Sequence, residues 1–82
     1  MDEIIKVINE WDPIGFFPLA PKNEYFNEVK CIYDFMQQNQ DIRIEKLAAK
    51  INEIFLHAFG TEIYNTDMEA CKIVAEKILN VV

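Results

Sequence analysis

The sequence predicts an all-α fold: a small antiparallel, bundle-like domain of about four helices, with an apolar proline-containing loop between the first two. Three observations predict it. Apolar residues recur at three- and four-residue spacing in four separate stretches. The breaks between those stretches carry residues that stop or start helices, namely Pro13, Asn23, Asp41, Gly60 and Thr66. The 82 residues make one domain spanning 1–82, and 51% of them are apolar, enough for one core.

The first helix is expected from Asp2 to Glu10. Ile4, Val7, Ile8 and Trp11 share one face, and Asp2 and Glu3 suit the positive end of the helix dipole. Pro13 ends it, because its ring drives Asp12 out of the right-handed α region. Asp12-Pro13-Ile14-Gly15 then fits a type I turn, with Asp first, Pro second and Gly fourth. Phe16 to Lys22 reads FFPLAPK, where two prolines forbid a helix interior or a central strand.

The second helix is expected to start near Asn23 as N-cap, with Tyr25, Val29, Ile32 and Met36 as its stripe, widened by Phe26 and Tyr33. It stops in the polar run Gln37 to Gln40. The third begins after Asp41 and ends at Gly60, a C′ glycine. Ile44, Leu47, Ala48, Ile51, Ile54, Phe55 and Ala58 give it the clearest helical period in the chain, opposite a polar stripe of Lys46, Lys50, Glu53 and His57. The fourth carries a capping box, Thr66 to Glu69, and an apolar face of Cys71, Val74, Ala75 and Ile78. Alternation at Ile42–Ile44 and Glu62–Tyr64 is too short to read as a sheet.

Charge and composition narrow the function classes. The net charge is −6, with one arginine, Arg43, and lysines scattered among acids. Nucleic-acid binding needs clustered cations to displace counterions, so no nucleic-acid partner is expected. An acidic surface suits a basic protein partner. The start Met1-Asp2-Glu3 is not a basic signal n-region, and no apolar run is long enough to span a membrane. The expected location is cytoplasmic, with no membrane partner. Cys31 and Cys71 are expected as free thiols in a reducing compartment.

The candidate chemical groups are few. His57 is the only histidine, sits on a polar stripe and has no second histidine to act with. Cys31 and Cys71 flank or join apolar stripes and read as packing residues. Glu24 and Glu28 lie one turn apart, with Asp12 as the only nearby third carboxylate; together they would form a metal-dependent site, against the simpler reading of a solvated acidic face. Ile44 to Glu53 echoes the first helix of a helix-turn-helix, but no turn and basic recognition helix follow. No catalytic set and no cofactor are expected.

Trp11 to Gly15, WDPIG, is the distinctive string. Trp11 is expected to be buried beneath the Phe16–Pro21 loop and to anchor it. Two readings of that loop stay open, a lid that completes the core and a binding surface. Adjacent residues of an extended segment face opposite ways, so Phe16 or Phe17 is expected to be partly exposed at the centre of a contact.

The string WDPIGFFPLAPKNEY resembles a family of short bacterial proteins, largely from Gram-positive species, known as a domain of unknown function. Trp11, Asp12, Pro13, Ile14, Gly15, Pro21, Glu24 and Tyr25 carry the resemblance. It implies a helical fold and no particular activity. The expected function is a non-enzymatic protein-interaction module with a protein partner or a second copy as homodimer. Trp11, Asp12, Pro13, Gly15, Phe16, Phe17, Leu19 and Tyr25 would form the interaction or loop-anchoring set. The alternatives are an immunity or antitoxin-like protein covering a basic toxin, and a metal-dependent enzyme built on Asp12, Glu24 and Glu28.

Overall fold

The computed structural model describes residues 1–81. They form α1 (Asp2–Trp11), α2 (Phe26–Gln38), α3 (Ile44–Phe59) and α4 (Met68–Val81), with no strand among the described residues. Neighbours in sequence are neighbours in space: α1 packs on α2, α2 on α3 and α3 on α4, and α4 returns to α1. The diagonal pairs make no comparable backbone approach, so the helices form a closed ring and side chains fill its centre. The most extensive of the four interfaces is that between α3 and α4.

The buried residues are those at helical spacing. Ile4, Val7 and Ile8 come from α1, Val29 and Ile32 from α2, Leu47, Ala48, Ile51 and Phe55 from α3, and Cys71, Val74, Ala75 and Ile78 from α4. Each fully buried aliphatic chain contributes about 1.5–3 kcal/mol relative to exposure. No polar or charged residue is buried among the described residues. Two tyrosines outside the helices, Tyr25 and Tyr64, complete the core. Their hydroxyls reach polar partners at its edge, as a buried tyrosine requires. Tyr64 Oη lies 3.0 Å from Asn52 Oδ1, which accepts its proton, and 3.4 Å from Cys71 Sγ.

The helix ends depart from the expected positions in four places. First, α1 continues through Trp11 and stops at Asp12, which adopts the left-handed conformation (φ 45°, ψ 61°) and donates its N–H to Ile8 O at 2.8 Å. Aspartate is one of the few non-glycine residues that tolerate this conformation. Second, α2 starts after Tyr25, not at Asn23. Tight turns occupy the intervening residues, with Glu24 N–H donating to Pro21 O and Phe26 N–H to Asn23 O, and they swing Tyr25 into the core before the helix begins. Third, Asp41 is a left-handed turn residue (φ 59°) rather than a cap; the chain then runs extended through Arg43 into α3. Fourth, α4 is capped by Asp67, whose Oδ1 accepts the Ala70 N–H at 3.1 Å. The capping box on Thr66 is out of register by one residue, because Asp67 is an equally good cap and sits directly before the helical run. At the end of α3, Gly60 takes the expected positive φ (77°) and donates to Leu56 O.

Three side chains on or beside apolar stripes also differ, the first being Phe26, expected to widen the α2 stripe but exposed at the start of that helix. Cys31 is exposed, on the outer side of α2, so it is not a packing residue; Cys71 is buried, as expected, and both thiols are free. Ala58, counted with the α3 stripe, is exposed.

The reassigned cap has a direct test. Asp67→Ala is expected to lower stability by about 0.5–2 kcal/mol in urea unfolding, the usual cost of a lost N-cap. Thr66→Ala is expected to stay within about 0.5 kcal/mol of the parent.

Candidate functional site

The WDPIGFFPLAP segment is organised by the side chain of its aspartate. Asp12 Oδ1 accepts hydrogen bonds from the amides of Gly15 (3.2 Å) and Phe16 (2.9 Å), and Oδ2 accepts that of Phe17 (3.1 Å). The Tyr25 hydroxyl donates to the same Oδ1 at 2.6 Å and accepts the Ile14 N–H at 3.1 Å. The backbone supports this coil, with Gly15 N–H donating to Asp12 O and Ala20 N–H to Phe16 O. Pro13 fixes the backbone between the carboxylate and its first amide donor, and Gly15 supplies the positive φ (83°) that brings the next amides round. A Cβ on Gly15 would meet nothing within 4 Å, so its role is conformational. The Phe17–Pro18 peptide is cis.

Two titrations follow from this geometry. Partial burial works to raise the Asp12 pKa. The Tyr25 hydroxyl and the amides of Phe17, Phe16 and Gly15 outweigh it, and hold the carboxyl below its ordinary value. Burial, reinforced by the hydrogen bond to Asp12, pushes the Tyr25 hydroxyl far up, so it remains a donor at any ordinary pH. The Asp12 carboxylate is committed to four donors, which leaves it ill placed to act as a base or a metal ligand.

An aromatic cluster ties the loop to the core. Phe16 and Phe17 both lie against Tyr25, with ring centroids 5.3 and 5.8 Å away. Tyr25 in turn meets Phe55 at 5.8 Å, and Phe16 meets Phe59 at 6.0 Å. Phe16 and Phe17 are therefore both half-buried, on one side of the segment. The expectation that they face opposite ways assumed an extended chain; coiling around a carboxylate puts them together. The residue turned outward is Leu19, 97% exposed. Trp11 is largely buried, as expected, and its ring meets Phe55 (5.2 Å) and Tyr64 (6.4 Å) edge-on. The hydrogen bonds that hold the loop are made by Tyr25 and Asp12, both members of the expected loop-anchoring set.

Beside Leu19 runs a groove of about 580 Å³ between the loop and the outer side of α1. Ile5, Phe17, Pro18, Ala20 and Pro21 give it apolar walls, and Asp2, Lys6, Glu10 and Lys22 stand on its rim. Asn9 bridges its two sides, donating from Nδ2 to Lys22 O at 3.0 Å. A second groove, about 480 Å³, lies between α2 and α3 and is lined by Glu28, Cys31 and His57 among others. Glu24 is exposed, whereas Glu28 is half-buried; burial, with the Glu24 charge added, raises its carboxyl pKa. No group of three or more His, Cys, Asp or Glu among the described residues is placed to hold a metal ion, so Asp12, Glu24 and Glu28 are not brought together as the metal reading required. Burial also raises the Cys71 thiol, which suits packing rather than nucleophilic attack.

The braced loop makes stability depend on Asp12 and Tyr25. Asp12→Asn keeps the left-handed backbone but sets an amide group among N–H donors, and is expected to cost about 1.5–3 kcal/mol, the range for hydrogen bonds to a charged group. Tyr25→Phe strands the Ile14 N–H and is expected to cost about 1–3 kcal/mol. Because the folded Asp12 titrates below its unfolded value of about 3.9, its stabilisation is fully present above that pH and is lost as the pH falls through the folded pKa. Urea midpoints of the parent and Asp12→Asn should therefore differ at neutral pH and converge below about pH 4.

Neither the curated proteins nor the solved structures compared with the chain give a match. A family model does match residues 3–82, nearly the whole chain including the braced loop. The chain belongs to that family, the Domain of unknown function (DUF1871).

Proposed function

We propose that this chain is a non-enzymatic protein-interaction module that presents the tip of the braced loop to a protein partner. The observation that carries the reading is Leu19, 97% exposed beside an apolar groove. Leu19 continues the apolar wall of Phe17, Pro18, Ala20 and Pro21, and a contiguous apolar patch beside a groove is where partners dock. The loop is also stiff. Asp12 fixes three of its amides, and Pro18 and Pro21 restrict the rest, so little conformational freedom remains to be lost on binding. The chain is acidic overall, but the charged residues around this groove balance, Asp2 and Glu10 against Lys6 and Lys22, which suits a partner surface of mixed charge.

The same reading takes Trp11-Asp12-Pro13-Ile14-Gly15 with Glu24-Tyr25 as the signature of the family, found largely in Gram-positive bacteria, and places the protein in the cytoplasm. What supports the signature is that its Asp12 and Tyr25 are joined directly, the tyrosine hydroxyl donating to the carboxylate at 2.6 Å.

Site-specific photocrosslinking tests the reading. A benzophenone side chain at position 19 in the host cell is expected to give a discrete adduct. The same group at Ile73, an exposed apolar position on α4, is expected to give none. No adduct at position 19, or an identical pattern from both positions, would contradict it.

A further inference from the structure

Leu19 and the groove beside it are a knob and a hole on one face of the molecule. Pro18 and Ala20, its two neighbours, both turn into the groove as wall residues. Leu19 between them points away and is left almost wholly in water. The hydrogen bonds on Asp12 and the Ala20-to-Phe16 backbone bond hold the loop on either side of Leu19 in this arrangement. The groove itself, about 580 Å³, is roomy enough for an aliphatic side chain and part of a loop.

The rim narrows the choice of occupant. Asp2 and Glu10 carry negative charge; Lys6 and Lys22 carry positive charge. All four are exposed, and none is in an ion pair among the described residues, where the one salt bridge is Lys50–Glu53. The rim is therefore locally neutral on a chain whose net charge is −6. A strongly basic or acidic partner would leave two of these charges facing their own sign. A surface of balanced charge set round an apolar centre leaves no such excess of like charge. This face is such a surface. A knob and a hole side by side on one face can also be satisfied at once by a two-fold axis, which closes the assembly at two chains rather than propagating a filament.

We infer that the groove between α1 and the loop is filled by Leu19 of a second copy of this chain, in a two-fold exchange that makes the protein a homodimer. This rests on the interaction reading above and specifies its partner. Sedimentation equilibrium of the full chain, up to about 1 mM, is the test. The parent is expected to reach twice the 9.6 kDa chain mass. Leu19→Asp is expected to weaken association at least about tenfold, with an unchanged far-UV spectrum and melting temperature at a concentration where both are monomers. Ile73→Asp, which places the same charge on α4 outside the groove, is expected to associate like the parent. A monomeric parent across the range, or a Leu19→Asp chain that dimerises like the parent, overturns the inference. So does equal loss with Ile73→Asp. The photocrosslink at position 19 separates the two proposals. A monomeric parent with an adduct to a different protein sinks the homodimer alone; a monomeric parent with no adduct sinks both.

Discussion

The Asp12 side chain takes hydrogen bonds from the amides of Gly15, Phe16 and Phe17 and from the Tyr25 hydroxyl, and the path of the chain between α1 and α2 depends on it. A loop with two prolines and three large apolar residues has no ladder to satisfy its backbone groups. Those groups must find partners or stay in water. One carboxylate, placed by a left-handed turn at the end of α1, takes three consecutive amides. Because the acceptor is ionised, each bond is stronger than a neutral one. The coil it imposes decides which side chains face in and which face out.

Inward, the same coil connects the loop to the core through aromatic rings. Phe16 and Phe17 sit on Tyr25, and Tyr25 sits on Phe55, which stacks with Phe59 at 5.9 Å. Tyr25 joins the two systems, since its ring belongs to the core and its hydroxyl to the carboxylate. The diagonal between α1 and α3, which the helices leave open, is bridged by Trp11 reaching Phe55. The lid and the binding surface, alternatives from sequence, are two sides of one loop. Its phenylalanines close the core and Leu19 stands outside.

What could be read in the sequence was whatever local spacing determines. The helical period placed four helices and nearly all of their buried residues, since one face of a helix is fixed by three- and four-residue steps. Gly60 was legible because positive φ favours glycine. The helix starts were less so: Asn23, Asp41 and Thr66 are good caps by type, but Asp67 competes with Thr66 one residue away, and Asp41 is equally suited to a left-handed turn. Tyr64 was missed because it stands beside Ile63 in a connector too short to carry a period that marks either residue as core. In the loop, local reasoning assumed an extended chain and so could not show that Phe16 and Phe17 lie together against Tyr25. The Asp-Pro-x-Gly pattern implies a turn, but the tyrosine that completes the site lies thirteen positions further on. Only the folded chain shows that the Tyr25 hydroxyl reaches the Asp12 carboxylate and that Leu19 faces outward.

The account stands on Asp12 and Tyr25 acting as one unit that shapes the loop, and a double-mutant cycle measures that coupling. Parent, Asp12→Ala, Tyr25→Phe and the double variant would be unfolded in urea at neutral pH. Residues sharing one hydrogen-bond network are expected to show a coupling energy of about 0.5–3 kcal/mol, so the double variant should lose clearly less than the two single losses combined. Additivity to within about 0.3 kcal/mol would mean that the two side chains contribute independently, and would contradict the claim that the Asp12–Tyr25 bond holds the loop.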